Sequence, residues 1–156
     1  MFRTRINSIL ITTLVAGSLD ILLAFLNAWF SNGVTPTRVL QYIASGYFGT
    51  EAFAGGPDMT LWGLLFHYLI AFTFTSLFFF LFAKSDFLAR YKTLTAIGYG
   101  LLIWGIMNLV VLPLSRVPVS KMDPVAMIKG MIILILAIGA PLVIFSSLYR
   151  KQCAKN

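Results

Sequence analysis

The sequence predicts an all-α integral membrane protein: a four-helix bundle with one short amphipathic interfacial helix in the first outer loop. Two observations predict it. Of the 156 residues, 59% are hydrophobic and only 11% are charged, whereas soluble domains average about 45–50% apolar and about 25% charged residues. Four apolar runs also approach the roughly 20 residues that a helix needs to cross a bilayer. They lie at about 9–30, 59–83, 93–114 and 125–148, so residues 1–156 are expected to form a single transmembrane domain.

The first apolar run is expected to be a membrane span and not the core of a cleaved signal peptide. It exceeds 20 residues and contains Asp20, whereas the apolar core of a signal peptide has about 7–15 residues. No A-x-A cleavage site closes it. We therefore expect the run to remain in the protein.

The basic residues predict the orientation of the spans. The formal net charge is +7, but the Lys and Arg residues are spread among the loops, so nucleic acid is not an expected partner. Eight lie on the side of the two termini and four on the other side. Because short loops rich in Lys and Arg stay in the cytoplasm, both termini are expected to be cytoplasmic, beside anionic lipid headgroups. The eight are Arg3, Arg5, Lys84, Arg90, Lys92, Arg150, Lys151 and Lys155, and the four are Arg38, Arg116, Lys121 and Lys129.

The loop after the first span predicts a helix over about residues 36–46. Thr35 is a possible N-cap, and Pro36 suits the first helical position. Two interpretations of this helix stay open: a lid over a cavity between the spans, or an anchor that rests on lipid headgroups. Interfacial helices commonly serve as anchors, which favours the second. The apolar residues at helical spacing are Val39, Leu40, Ile43, Tyr47 and Phe48.

The later spans carry their own signals. The second is rich in phenylalanine, which suits a lipid-facing surface. Pro113 is expected to end or kink the third span, and Pro141 to bend the fourth. Asp123 and Pro124 predict the N-cap and the first position of the fourth span. Trp104 is unusual because it lies in mid-span, whereas tryptophans collect near span ends.

The candidate site is a set of four polar residues inside the spans: Asp20, Asn27, His67 and Asn108. Asp20 lies roughly 15 Å from either end of its span, and a carboxylate at that depth usually faces the interior of a bundle. His67 lies between the levels of Asp20 and Asn27. All four are therefore expected to meet in the outer half of the bundle. Two stripes at helical spacing carry three of them, one with Thr13, Gly17, Asp20, Ala24 and Asn27, the other with Thr60, Gly63, His67, Ala71 and Thr75, and Asn108 follows Gly98, Leu101 and Gly105 in the third span.

Two functions follow from this cluster and stay open. Asp and His residues inside membranes commonly mark proton and solute pathways, so Asp20 would load a proton and His67 would exchange it. Alternatively, the polar residues hydrogen-bond between helices, and the small-residue stripes allow a homo-oligomer or a membrane-protein partner. An enzyme is not expected, because HExxH, GxSxG, P-loop and paired-acid motifs are absent from the sequence. One histidine and one cysteine, Cys153, predict no disulfide, metal site or cofactor.

Several stretches resemble small four-span bacterial inner-membrane proteins of the YagU type. They are "AGSLDILLAFLNAW", "TPTRVLQYIASGYFG", "AFAGG", "LLFHYLIAF" and "VVLPLSR". The resemblance is one of layout over most of the chain, with a histidine in the second span and a proline closing the third. It implies an inner-membrane protein and a link to acid resistance. It assigns no functional residue.

Overall fold

The computed structural model describes residues 5–118 and 123–153, apart from the side chains of Ala83 and Lys84. Within these ranges the chain is helical and has no strand, and four of its helices are long and apolar enough to cross a membrane. Both of these predictions are confirmed. Of the residues used to predict orientation, Arg3, Lys121 and Lys155 lie outside the described ranges. The helices are α1 (Arg5–Asn32), α2 (Pro36–Phe48), α3 (Gly56–Lys84), α4 (Asp86–Arg90), α5 (Lys92–Leu114) and α6 (Pro124–Cys153), and a 3-10 turn (Gly49–Phe53) joins α2 to α3.

The helix starts follow the capping signals to different extents. Asp123 caps α6, since its Oδ2 accepts a hydrogen bond from the Ala126 N–H at 3.1 Å. Thr35 precedes α2 in an extended conformation but makes no side-chain cap bond. Pro36 nevertheless occupies the first position of α2, where its missing N–H costs nothing. α1, α3 and α6 each run several residues beyond at least one end of the predicted apolar run, because polar residues at span ends continue the helix, and α5 differs from its predicted run by one residue.

Two arginines bring both ends of the described chain to the same place. The Arg5 guanidinium donates to the Phe79 carbonyl at 3.0 Å, and Arg150 donates to the Phe82 and Ser85 carbonyls at 3.2 and 3.3 Å. Basic groups suit this position because the last carbonyls of a helix lack partners within the helix. We call the part of the molecule around Arg5, Arg150 and the end of α3 the terminal half. The opposite part, which contains α2 and the beginning of α3, is the loop half.

The main hydrophobic cluster lies in the terminal half. Phe78, Phe79 and Phe82 of α3 are only 1–2% exposed, so the prediction that the phenylalanines of this span face lipid is wrong for these three. Phe72 and Phe80 on the same helix are exposed. The Tyr99 hydroxyl donates to the Phe74 carbonyl at 2.6 Å and ties α5 to α3. The cluster consists of Phe78, Phe79, Phe82, Tyr99, Ile103, Ala137, Ile138, Leu142 and Val143.

Two wide helical turns interrupt α5 and α6. The π turns are Met107–Val111 and Ile135–Gly139, and each ends two residues before a proline, Pro113 in α5 and Pro141 in α6. A proline removes one backbone donor and clashes with the carbonyl four residues earlier. A π turn widens the helix at that point and relieves the clash. The prolines thus mark irregular turns whose type the sequence did not indicate.

Close backbone contacts join α3 to α2 and α5 to α6. A Cβ at Gly63 of α3 would collide with the Leu40 carbonyl of α2, and a Cβ at Gly100 of α5 would lie 2.7 Å from the Ile135 Cα of α6. Only glycine permits either approach. Helices pack this closely in membranes where small residues let the backbones meet.

Candidate functional site

A cavity of about 530 Å³ lies between α1, α5 and α6 in the loop half. It exists because α1 packs mainly on the π turn and the terminal-half part of α6, and has few contacts with the rest of that helix. Residues from α2 and from the segment after α5 also line it. The lining residues are Asp20, Ala24, Asn27, Tyr42, Trp104, Asn108, Leu112, Pro113, Val117, Pro118, Asp123, Ala126, Met127, Gly130, Ile133 and Leu134.

Three of the four predicted site residues line this cavity. Asp20 and Asn27 lie seven residues apart on one face of α1, roughly 10 Å along the helix. Asn108 belongs to the π turn of α5 and approaches from the opposite wall. All three side chains are half-buried. On α1 the polar residues extend from the middle of the helix toward its loop-half end. Asp20 lies in the middle, and Asn27 lies nearer that end.

The polar groups in the cavity are not bonded to other helices. The Asn108 Nδ2 donates to the Trp104 carbonyl of its own helix at 2.9 Å, and the Asn27 Oδ1 accepts from Ser31 of its own helix at 3.4 Å. Across residues 5–118 and 123–153, no group hydrogen-bonds to the Asp20 carboxyl, and the ion pair in those ranges is Arg150–Asp86. The site therefore presents one carboxyl and two amides that are free to bind something in the cavity.

His67 lies outside the cavity lining, at the contact between α1 and α3. It is 8% exposed, and its Nε2 is 2.8 Å from the Gly17 carbonyl oxygen. Because a carbonyl only accepts, Nε2 carries the hydrogen and donates. Beside it, the Tyr68 hydroxyl and the Ser18 hydroxyl are 2.7 Å apart and hydrogen-bonded. These two bonds tie α3 to α1.

His67 nevertheless remains a neighbour of Asp20. Its partner Gly17 precedes Asp20 by three residues, about one helical turn, and the two ionisable groups interact electrostatically. A direct hydrogen bond between them is not made. The structure thus brings Asp20, Asn27 and Asn108 together and places His67 one turn away, where its ring already has a partner.

Two aromatic residues complete the site. Trp104 is 9% exposed and lines the wall next to Asn108. Its Nε1 would lie 3.2 Å from a Cβ at Gly130, so the glycine leaves room for the indole. The mid-span position of Trp104 was the sequence signal that could have assigned it to the site. Tyr42 had no such signal, because its place in the lining depends on how α2 packs.

The contacts of α2 explain how Tyr42 reaches the cavity. The fully buried residues of α2 are Leu40, Gln41, Ala44 and Ser45. Of the apolar stripe predicted from the sequence only Leu40 is fully buried, and Tyr47 is 67% exposed. The Arg116 N–H donates to the Gly46 carbonyl at 3.0 Å and ties the segment after α5 to α2. A phenol is protonated at neutral pH, and burial raises the pKa of Tyr42 further, so its hydroxyl can donate.

The described residues contain no group of three or more His, Cys, Asp or Glu side chains that could hold a metal ion. Together, four helices able to cross a membrane and a largely apolar cavity between three of them, with the polar side chains of Asp20, Asn27 and Asn108 in its lining, are typical of a multi-pass helical membrane protein. No protein-family model matches the chain, and no curated protein sequence and no solved structure matches it either.

Proposed function

We propose that this chain is a four-span inner-membrane protein that handles a proton or a small solute at Asp20. The observation that carries the proposal is the Asp20 carboxyl, which faces a cavity and has no hydrogen-bond partner among the described residues. A carboxyl in a membrane span is costly unless it serves a pathway or is paired. Asp20 makes neither a hydrogen bond nor an ion pair within the described residues, although His67 lies nearby, and this favours the pathway.

The polar residues of the spans divide into two groups, and this division supports the proposal. His67 and Tyr68 bond to α1, and Tyr99 bonds to α3, as expected of residues that hold helices together. Asp20 and the two asparagines make no such bond. The residues of the first group hold the helices together. Asp20 and the two asparagines are therefore available to bind a ligand.

We place both termini in the cytoplasm, which makes the cavity open toward the outer side. In the same arrangement the four long helices form one bundle, and α2 lies at the outer membrane interface with Tyr42 over the cavity. This combines the lid and anchor interpretations, because α2 also packs on α3. A proton pathway agrees with the link to acid resistance that the resemblance to the YagU type implies.

One observation favours a second candidate, a structural or partner-binding membrane protein. At Gly98 and Gly105 of α5 nothing lies within 4 Å of where a Cβ would be. The two glycines are seven residues apart on one face, which suits close approach of a further helix. A homo-oligomer or a membrane-protein partner would use this face.

Flux measurements on reconstituted protein test the proposal. We expect proteoliposomes with an internal pH dye to show proton uptake that Asp20→Asn abolishes and that His67→Ala reduces. Asp58→Asn is the matched control, since Asp58 is exposed in the first turn of α3 and does not line the cavity. If folded Asp20→Asn protein and the parent chain show equal uptake of protons, and of any solute that the parent takes up, the proposal fails.

The single cysteine tests the orientation. Cys153 is exposed, so a membrane-impermeant maleimide should label it only after intact cells are permeabilised. In a Cys153→Ser background, Thr50→Cys between α2 and α3 should be labelled in intact cells, because Thr50 is exposed on the opposite side. The reverse labelling pattern would invert the topology.

A further inference from the structure

We propose that the cavity takes a monovalent organic cation, a protonated or quaternary amine with an apolar body. The cationic nitrogen would bind at Asp20, and the body would lie against Trp104 and the neighbouring wall of α6. The inference rests on the proposed function and names the class of solute.

The charge of the lining selects a cation. Asp20 and Asp123 contribute carboxyl groups, and the described lining residues include no Lys, Arg or His. Lys129 lies on α6 near the same end, but its Nζ donates to Ser31 at 3.0 Å and does not line the cavity. A carboxylate away from bulk water without a partner is unfavourable, and a bound cation removes that cost. The carboxyl groups of the lining would repel an anion.

The opposite wall suits an apolar body. Trp104 presents an indole, the aromatic ring that binds cations best. Met127, Ile133 and Leu134 continue the wall along α6. Methionine adapts its shape to different ligands, as in surfaces that accept several partners. The Asn27 and Asn108 amide oxygens can accept hydrogen bonds from an amine N–H, as the Asp20 carboxyl can.

The size of the cavity separates an organic from an inorganic cation. About 530 Å³ falls within the roughly 300–1,000 Å³ of small-molecule sites. A hard metal cation instead needs about six oxygen ligands in a tight shell. The Asp123 Oδ2 is engaged in the cap of α6, and most of the described lining is apolar. The cavity is too large and too apolar for a bare ion.

Fluorescence of Trp104 provides the test. The chain has three tryptophans, so Trp29→Phe with Trp62→Phe leaves Trp104 as the sole reporter in detergent-solubilised full-length protein. We expect benzyltrimethylammonium to change the emission saturably, and Asp20→Asn to weaken binding by at least about tenfold. Asp58→Asn should bind as the parent does. Benzenesulfonate, of similar size and opposite charge, should give no saturable change, and benzyl alcohol should bind at least about tenfold more weakly than the cation.

A second readout keeps the test decisive if the tryptophan variant fails to fold. In the unmodified chain, benzyltrimethylammonium should raise the thermal unfolding temperature, and this rise should disappear in Asp20→Asn. Equal effects of the cation and benzenesulfonate, or binding that Asp20→Asn leaves unchanged, would overturn the inference. Asp20-dependent proton uptake without cation binding would overturn the inference alone. Cation binding without any flux would overturn the proposed function while the cation site stands.

Discussion

The terminal half of the molecule holds the main hydrophobic cluster, with an apolar pocket of about 260 Å³ beside Phe78 and Tyr99, whereas the loop half holds the cavity of about 530 Å³ around Asp20. In the terminal half, Leu142 and Phe78 are at most 1% exposed, and hydroxyl and guanidinium groups bond to carbonyls of neighbouring helices. In the loop half, Asp20, Asn27 and Asn108 line the cavity and, within the described residues, bond to no other helix. The difference is that side-chain hydrogen bonds join helices in the terminal half, whereas within the described residues no side chain of another helix hydrogen-bonds to Asp20.

The boundary between the halves coincides with the π turn of α6. Ile135–Gly139 contacts both α1 and α5, and its Ala137 and Ile138 belong to the hydrophobic cluster. Before this turn, over Pro124–Leu134, α6 has few contacts with α1. Movement of a solute past Asp20 would therefore require the packed half to open, with the π turns as the natural points of bending.

The largest expected difference in stability between the halves comes from truncating one leucine to alanine in each. Leu142→Ala leaves a hole in close-packed surroundings and should lower the free energy of unfolding by about 2–5 kcal/mol. Leu112→Ala only enlarges an existing cavity and should cost less than about 1 kcal/mol. Unfolding of both variants in mixed micelles with increasing SDS would measure this. Equal costs would mean that the loop half is packed as tightly as the terminal half.

A second test concerns the contact between α2 and α3, which holds α2 beside the cavity. Gly63→Ala forces its new methyl group against the Leu40 carbonyl and should destabilise the protein by about 1–3 kcal/mol. Gly98→Ala is the matched control, because nothing lies within 4 Å of that position. The control should be neutral or more stable by up to about 1 kcal/mol. The same SDS titration measures both, and a harmless Gly63→Ala would show that α2 does not depend on this contact.

The third test compares the two ionisable residues near the middle of the spans. His67→Leu removes the bond to the Gly17 carbonyl and should cost about 1 kcal/mol of stability. Asp20→Asn removes no partner and should change stability by less than about 0.5 kcal/mol. Should Asp20→Asn prove the more damaging of the two in the SDS titration, Asp20 would belong with the residues that hold the helices together.

The smallest effect concerns adjacent threonines of α1. The Thr12 hydroxyl donates to the Ser8 carbonyl at 2.7 Å, whereas the buried Thr13 hydroxyl oxygen has no partner. Thr12→Val should therefore cost about 1 kcal/mol, and Thr13→Val should be neutral or slightly stabilising. Thermal unfolding in detergent compares the two, and a larger loss in Thr13→Val would show that water or another group binds its hydroxyl.

Much of the fold could be predicted because run length and spacing act locally. The apolar runs predicted four long helices, Pro36 predicted where α2 begins, and the seven-residue spacing put Asp20 and Asn27 on one face. The rest depends on tertiary contacts that leave no local mark. The partner of His67 is a backbone carbonyl, which any residue supplies, and the burial of Phe78 depends on how α5 and α6 pack against α3.

The site was predictable only where depth could be calculated. The rise per residue placed Asp20 in mid-span, but it could not show that α6 diverges from α1 or that Tyr42 reaches the cavity from α2. These depend on the π turn before Pro141 and on the contact at Gly63. Neither is visible in hydrophobic periodicity, because a π turn keeps the apolar composition of the helix around it.

The arginine contacts at the end of α3 have a consequence for the order of synthesis. Arg150 follows its acceptor Ser85 by 65 residues, which a ribosome needs roughly 3–13 s to add. The bonds between α1 and α3 through His67 and Tyr68 involve only segments made earlier. The contacts between α1 and α3 can therefore form before α6 is complete, whereas the Arg150 bonds to the end of α3 form only after the end of α6 has been synthesised.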